Sequence, residues 1–196
     1  MQNTLAVLVE DKPGVLNRVA SLFRRRVFNI ESLTVGHTET EGISRMTIVV
    51  DGDQAGMERL TSYLYKLVNV IQVDDLTIRP VVSRDLAIIK VRTNSSNRAQ
   101  IMQMVDVFRA RVVDVTPGSL ILEVTGDAQK VDGLVEVLRP LGIIEMVRTG
   151  AVAMSRGSEA MIHKNGNGNT CGSIADAERP GQNFVGPRLE EANAHG

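Results

Sequence analysis

Six consecutive residues near the start of this chain, Asp11-Lys12-Pro13-Gly14-Val15-Leu16, have a physical logic for holding a ligand. They carry the backbone from an apolar run directly into a helical pattern. Free N–H groups at residues 14–16 would face whatever sits at that helix N-terminus, and they favour an anion such as a carboxylate. Gly14 lacks the Cβ that would block close approach. Asn29, at the start of the next apolar run beside Ile30, offers amide donors and an acceptor suited to a carboxylate or an ammonium. Ordinary turn chemistry explains the same residues, because Pro-Gly punctuates a strand-to-helix turn and Asn suits a loop-to-strand junction.

Reaction chemistry is harder to find. Of three histidines, His163 and His195 fall in a glycine-rich C-terminal stretch, and His37 sits in a polar turn with no Ser or Cys nucleophile nearby, which speaks against a triad or a His-rich metal site. Cys171 has no structured base or helix N-terminus to lower its pKa. Asp74 and Asp75 are adjacent in a strand pattern and so point to opposite faces, which spoils joint acid–base work. Neither a Walker loop nor a dinucleotide GxGxxG is present. The chain reads as non-catalytic and free of any metal site.

Composition narrows the classes further. The 196 residues are 43% hydrophobic and 23% charged with a net charge of −1, enough apolar material for one or two domains. Arg24, Arg25 and Arg26 form the one dense basic block and suit the negative end of a helix dipole. Aromatics reach 3% and Trp is absent, so neither the basic footprint nor the stacking platforms of a nucleic-acid binder are in place. A single cysteine excludes an internal disulfide and fits a reducing, cytoplasmic setting. Leu5 to Val9 is too short for a signal segment, and no apolar run approaches the ~20 residues of a membrane helix.

The elements that must position the loop follow from periodicity. Residues 4–10 read as a strand; Val15, Leu16, Val19, Leu22 and Phe23 as the inward face of a helix; Asn29 to Val35 as a second strand. Gly36 to Gly42 is turn-like, and Met46, Ile48 and Val50 alternate as a third strand. Gly52-Asp53 starts a helix bearing Met57, Leu60, Leu64 and Leu67, and Val70 to Ile78 supplies a fourth strand. The order βαββαβ then repeats: strand Leu86 to Val91, a helix capped by Ser95-Ser96-Asn97, strand Val112 to Val115, strand Leu120 to Val124, a helix opened by Gly126-Asp127, and strand Ile143 to Val147. Arg79-Pro80-Val81-Val82-Ser83 reads as the linker. Two tandem α+β units of ferredoxin-like topology are predicted, each an antiparallel sheet with both helices on one face. Leu5, Val7 and Val9 on one face and Ala6 and Leu8 on the other leave an apolar open face that favours pairing with another copy or chain. After residue 158 the composition predicts disorder.

Read together, Asp11 to Leu16, Arg25 to Val35 and Ser44 to Ile48 resemble an ACT domain, and more narrowly the small regulatory subunit of acetohydroxyacid synthase, also called acetolactate synthase. Arg84 to Val91, Phe108 to Thr116 and Arg148 to Gly157 are similar to that family's C-terminal domain. The resemblance covers about residues 3 to 157 and implies an ACT amino-acid-binding domain over residues 1–79 and a ferredoxin-like regulatory domain over 84–157; the tail over 158–196 lies outside it. It also implies a catalytic large subunit as partner, carrying thiamin diphosphate, Mg²⁺ and FAD, with no cofactor on this chain. That enzyme condenses pyruvate with pyruvate or 2-oxobutyrate in branched-chain amino-acid synthesis. Feedback inhibition is implied as well, by valine first, bound where two ACT domains meet in a homodimer. Gly14, Val15 and Leu16 would come from one protomer, and Asn29 and Ile30 from the other. Valine-responsive members carry Asn where this chain has Asp11, an acid that repels a carboxylate but can pair with an effector's ammonium.

Two other classes share these features. RNA-recognition domains have the same element order but need aromatic residues on their central strands, and Leu5 to Val9 and Met46 to Val50 contain none. A stand-alone ACT sensor serving a different enzyme would be separated from a synthase subunit by the partner it captures.

Overall fold

The structure, a computed structural model, describes residues 1–157 and Met161. The first unit runs β1 (Gln2–Glu10), α1 (Val15–Arg25), β2 (Ile30–His37), β3 (Ile43–Asp51), α2 (Gln54–Leu64) and β4 (Val70–Asp75). The second runs β5 (Val81–Arg92), α3 (Arg98–Val107), β6 (Arg111–Val115), β7 (Ser119–Gly126), α4 (Ala128–Gly142), β8 (Ile143–Arg148) and β9 (Val152–Ser155). Sheet orders are β2-β3-β1-β4 and β6-β7-β5-β8, with every pairing antiparallel. Both units are ferredoxin-like, as the periodicity predicts.

Alternation in the central strands explains the two cores. Leu5, Val7 and Val9 of β1 pack with Met46, Ile48 and Val50 of β3 against Val19, Phe23, Leu60 and Leu64 of the helices. Ala87, Ile89 and Val91 of β5 do the same with Leu120, Leu122 and Val124 of β7 and Ile101, Val131 and Leu134. Burial of each large side chain stabilises by about 1.5–3 kcal/mol. The second helix of each unit begins alike. Asp53 accepts from the Gly56 amide at 2.9 Å and Asp127 from the Lys130 amide at 2.8 Å, an N-cap that contributes about 1 kcal/mol. The first helix of each unit also ends alike. Val27 and Arg109 adopt positive φ (60° and 49°), while the next residue's amide reaches back to Phe23 and Val105 respectively. Glycine usually fills this left-handed position after a helix.

Several expectations are revised. Val81 to Ser83, predicted as linker, form the first part of β5, where they pair with β9 (Val81↔Ser155, Ser83↔Ala153). β9 itself is only four residues long and has no signal apart from this partner. Gly36 and His37 extend β2 rather than starting a turn, because they pair with Arg45 and Ser44. β4 stops at Asp75, leaving Ile78 exposed. Leu16 is 45% exposed and does not join Val15 and Val19 in the core. Asn97, within the predicted Ser95 to Asn97, is the N-cap residue of α3, but its side chain caps no helix amide, and the turn ahead is held by Asn94, whose Oδ1 accepts from the Ser96 and Asn97 amides. Finally, the chain covers part of the first sheet's open face itself: Ala6 packs with Leu76 and Ala153, flanked by Val81 and Met161. The predicted tail beyond Gly157 lies outside the described residues apart from Met161.

Candidate functional site

The loop from β1 to α1 is fixed by its own backbone. The Asp11 amide donates to Gly42 O at 2.8 Å and the Val15 amide to Lys12 O at 3.3 Å. Gly14 sits at φ +83°, a left-handed conformation that an L side chain rarely adopts, and open space lies where a Cβ would go. Of the three amides expected to be free, Val15 therefore has an internal acceptor. Those of Gly14 and Leu16 have none among the described residues, and the amide of Asn17 shares that state. No side chain caps α1. Such a helix start presents N–H donors and the positive end of a dipole outward.

Around this start lies a polar network that sequence reasoning missed. Asn69, which is buried, donates to Glu10 Oε2 at 2.6 Å and accepts from Arg18 at 2.6 Å. Lys12 pairs with the same Glu10 oxygen at 3.0 Å. The hydrogen bond from Asn69, helped by Lys12, holds the Glu10 carboxyl below its ordinary pKa. Asn69 lies 59 residues beyond Glu10, so no local motif announces the pair. Asp11 faces His37 at the end of β2, Oδ2 to Nδ1 3.3 Å, both side chains well exposed. The site thus combines free amides with an exposed carboxylate: one end suits a carboxylate ligand and the other an ammonium.

Asn29 and Ile30 do not meet these residues within one chain. They follow the C-terminal end of α1, and an 11-residue helix separates them from Gly14 by about 16 Å. The Asn29 side chain is exposed and makes no hydrogen bond among the described residues. β2, which Ile30 begins, is an edge strand of its sheet.

The second unit docks on this same strand. Ser32 Oγ accepts from the Ala151 amide at 3.0 Å, Thr34 Oγ1 donates to Thr149 O at 3.3 Å, and Arg45 donates to Ala153 O at 2.7 Å. Gly150, at φ +84°, lies so near that a Cβ there would sit 2.3 Å from Ser32 Oγ. Beside this contact is a cleft of about 590 Å³, lined in part by Thr4, Ser32, Asp85, Asp132 and Arg148. Asp85, a buried carboxylate, pairs with Arg148, which also meets Asp132 at 2.6 Å. Burial works against the charged guanidinium, but the bonds to Asp85 and Asp132 outweigh it and raise its pKa. Arg148 is thus engaged by both carboxylates.

Comparison with known proteins settles the family. A model described as the small-subunit-like ACT domain of AHAS matches residues 5–72, and one described as the small subunit of acetolactate synthase matches residues 84–157. A probable acetolactate synthase small subunit of Methanothermobacter thermautotrophicus is 52% identical over 158 residues, spanning 80% of this chain and 94% of the relative. This chain belongs to the acetolactate synthase small-subunit family. The acetolactate synthase small subunit of Mycobacterium leprae is likewise 52% identical, over 79% of this chain and 92% of its own length. The crystal structure of the Thermotoga maritima small subunit superposes with a TM-score of 0.75 at 40% identity, covering 80% of this chain and 98% of that one. Membership of the small-subunit family makes this chain a regulatory subunit of acetolactate synthase. Among the described residues there is no group of three or more His, Cys, Asp or Glu placed to hold a metal ion, and no helix is long and apolar enough to cross a membrane.

Proposed function

We propose that this chain binds and activates the catalytic large subunit of acetolactate synthase and confers feedback inhibition by a branched-chain amino acid, valine first. The large subunit would carry thiamin diphosphate, Mg²⁺ and FAD and perform the condensation of pyruvate in the cytoplasm; this chain would carry the effector site and no cofactor. The observation that carries the reading is the open start of α1, with unpaired amides at Gly14 and Leu16 beside the Asp11 carboxylate. An α-amino acid is a ligand whose two charges match that pair.

Edge strand β2 supports a site shared between two copies. If two first units pair antiparallel through β2, the start of one strand lies beside the end of the other. Asn29 and Ile30 of one copy then approach His37 of the partner copy, and so the loop from Asp11 through Val15 to Leu16 that His37 contacts. The effector's carboxylate would meet the Gly14 and Leu16 amides, its ammonium Asp11, and its side chain Ile30 and Val15.

Reconstitution tests this reading. The purified chain alone, supplied with the cofactors, should form no acetolactate, and added to the large subunit it should raise the rate and make it sensitive to valine. Acetolactate formation by the chain alone, or no change on mixing, contradicts it.

A further inference from the structure

The helix layer of the first unit carries a feature that effector binding does not use. Between α1 and α2 runs a groove with two adjoining hollows of about 510 and 230 Å³ that share Arg26 and Tyr63. Leu22, Leu67 and Phe28 make its floor apolar, and Arg25, Arg26, Arg59 and Lys66 wall it. The Arg26 guanidinium lies 3.8 Å over the Tyr63 ring, with the Lys66 ammonium 5.3 Å from the same ring on this surface. Arg25 and Arg59 donate only to carbonyls of their own helices, those of Ser21 and Ala55. Among the described residues none of these four cations forms an ion pair with a carboxylate. In the second unit, by contrast, Arg139 and Arg148 are matched by Glu136, Asp132 and Asp85.

Four cations held this close repel one another, and each would be relieved by a local acid that this unit does not supply. An aromatic with an Arg stacked on it, set in a groove with an apolar floor, has the composition of a binding hot spot. We infer that this groove is the seat of an acidic segment of the catalytic large subunit, whose apolar side chain enters between Leu22, Leu67 and Tyr63 while its carboxylates meet Arg26, Arg59 and Lys66. The inference rests on the reading of this chain as a regulatory subunit. It separates the surface that holds the enzyme from the loop that holds the effector, on the helix layer and at the start of α1 respectively.

The test uses the full-length chain and the purified large subunit, with binding measured by calorimetry at several salt concentrations. The double variant Arg26→Glu/Lys66→Glu should bind ~30-fold more weakly or worse, and its affinity should fall less with salt than the wild type's. The milder Tyr63→Ala should weaken binding with the salt dependence kept. Arg139→Glu, a reversal on the second unit's helices, should change affinity little. The charge-reversal variants should keep the wild-type melting midpoint, since Arg26, Lys66 and Arg139 are exposed, whereas Tyr63→Ala, which packs in part on the core, should lower it modestly. Wild-type affinity in the groove variants, or an equal loss in Arg139→Glu, overturns the groove while leaving the regulatory reading intact. Absence of binding by the wild type overturns both.

Discussion

The two units share a topology but differ in the turn ahead of their first helices. Ahead of α3, Asn94 folds back on the chain: its side chain accepts from the Ser96 and Asn97 amides, its carbonyl accepts from the Arg98 amide at 3.2 Å, and Asn97 returns a bond to the Asn94 amide. Ahead of α1, glycine stands where a capping side chain could, and the Gly14, Leu16 and Asn17 amides have no acceptors among the described residues. Neither helix has a side-chain cap, and the Ala99 and Gln100 amides of α3 lack acceptors among the described residues as Leu16 and Asn17 do. The difference lies in the turn ahead, which Asn94 ties down before α3 and which a glycine with a free amide leaves open before α1. Charges add a contrast, since Arg148 pairs with Asp85 and Asp132 in the second unit, whereas among the described residues no acid lines the first unit's basic groove. The second unit docks on β2 through Thr149 and Ala151, while the first carries the loop and groove that the proposed function uses.

The sharpest way to break this contrast is to block the open helix start. Gly14→Asp places a negative charge where the effector's carboxylate would sit. Loss of two charge-assisted hydrogen bonds, each worth roughly 1.5–3 kcal/mol, should cut valine affinity more than a hundredfold. Asp tolerates the left-handed conformation better than most residues, so the fold should survive. Ser96→Asp, the matched change before α3, should leave the valine response of the reconstituted enzyme as it was. Equal loss in both variants would erase the distinction between the units.

Next in size is the buried pair. Arg148→Met leaves the Asp85 carboxylate buried without its partner and should destabilise by about 3 kcal/mol in denaturant unfolding. A change below a few tenths of that would mean the second unit is not held by these charges. Gly150→Ala follows, at about 2 kcal/mol, because its Cβ would press on Ser32 Oγ in a backbone conformation that disfavours it. Hydrogen exchange should localise that effect to residues 149–155 and the facing part of β2. The smallest effect probes where the units are alike: Val27→Gly and Arg109→Gly should each stabilise, by about 1 kcal/mol or less, and Val27→Gly by more because a β-branched residue suits positive φ worse.

The sequence makes some of this plain and hides the rest for physical reasons. Alternation in Met46, Ile48 and Val50 and the spacing of Leu60 and Leu64 reveal strand and helix, since each pattern is local. The caps at Asp53 and Asp127 are legible for the same reason. So is the loop at Gly14, though not that Lys12 takes the Val15 amide. Asn69 with Glu10, Asp85 with Arg148, and Ser32 with Ala151 join residues 59, 63 and 119 positions apart. No window of sequence contains both members of such a pair. β9 was hidden likewise, being made a strand by a partner that looked like linker.

The central claim is an effector site that draws Gly14 from one copy and Asn29 from another, and mixed dimers test it most directly. Chains carrying Gly14→Asp and chains carrying Asn29→Ala are prepared separately, then unfolded and refolded together. Valine binding is counted at a concentration that saturates wild-type sites and leaves each variant alone nearly empty. In a mixed dimer one site carries both changes and the other carries neither, so random pairing should restore roughly a quarter of wild-type capacity. No restoration, in mixtures shown to contain mixed dimers, would contradict a site shared between two copies.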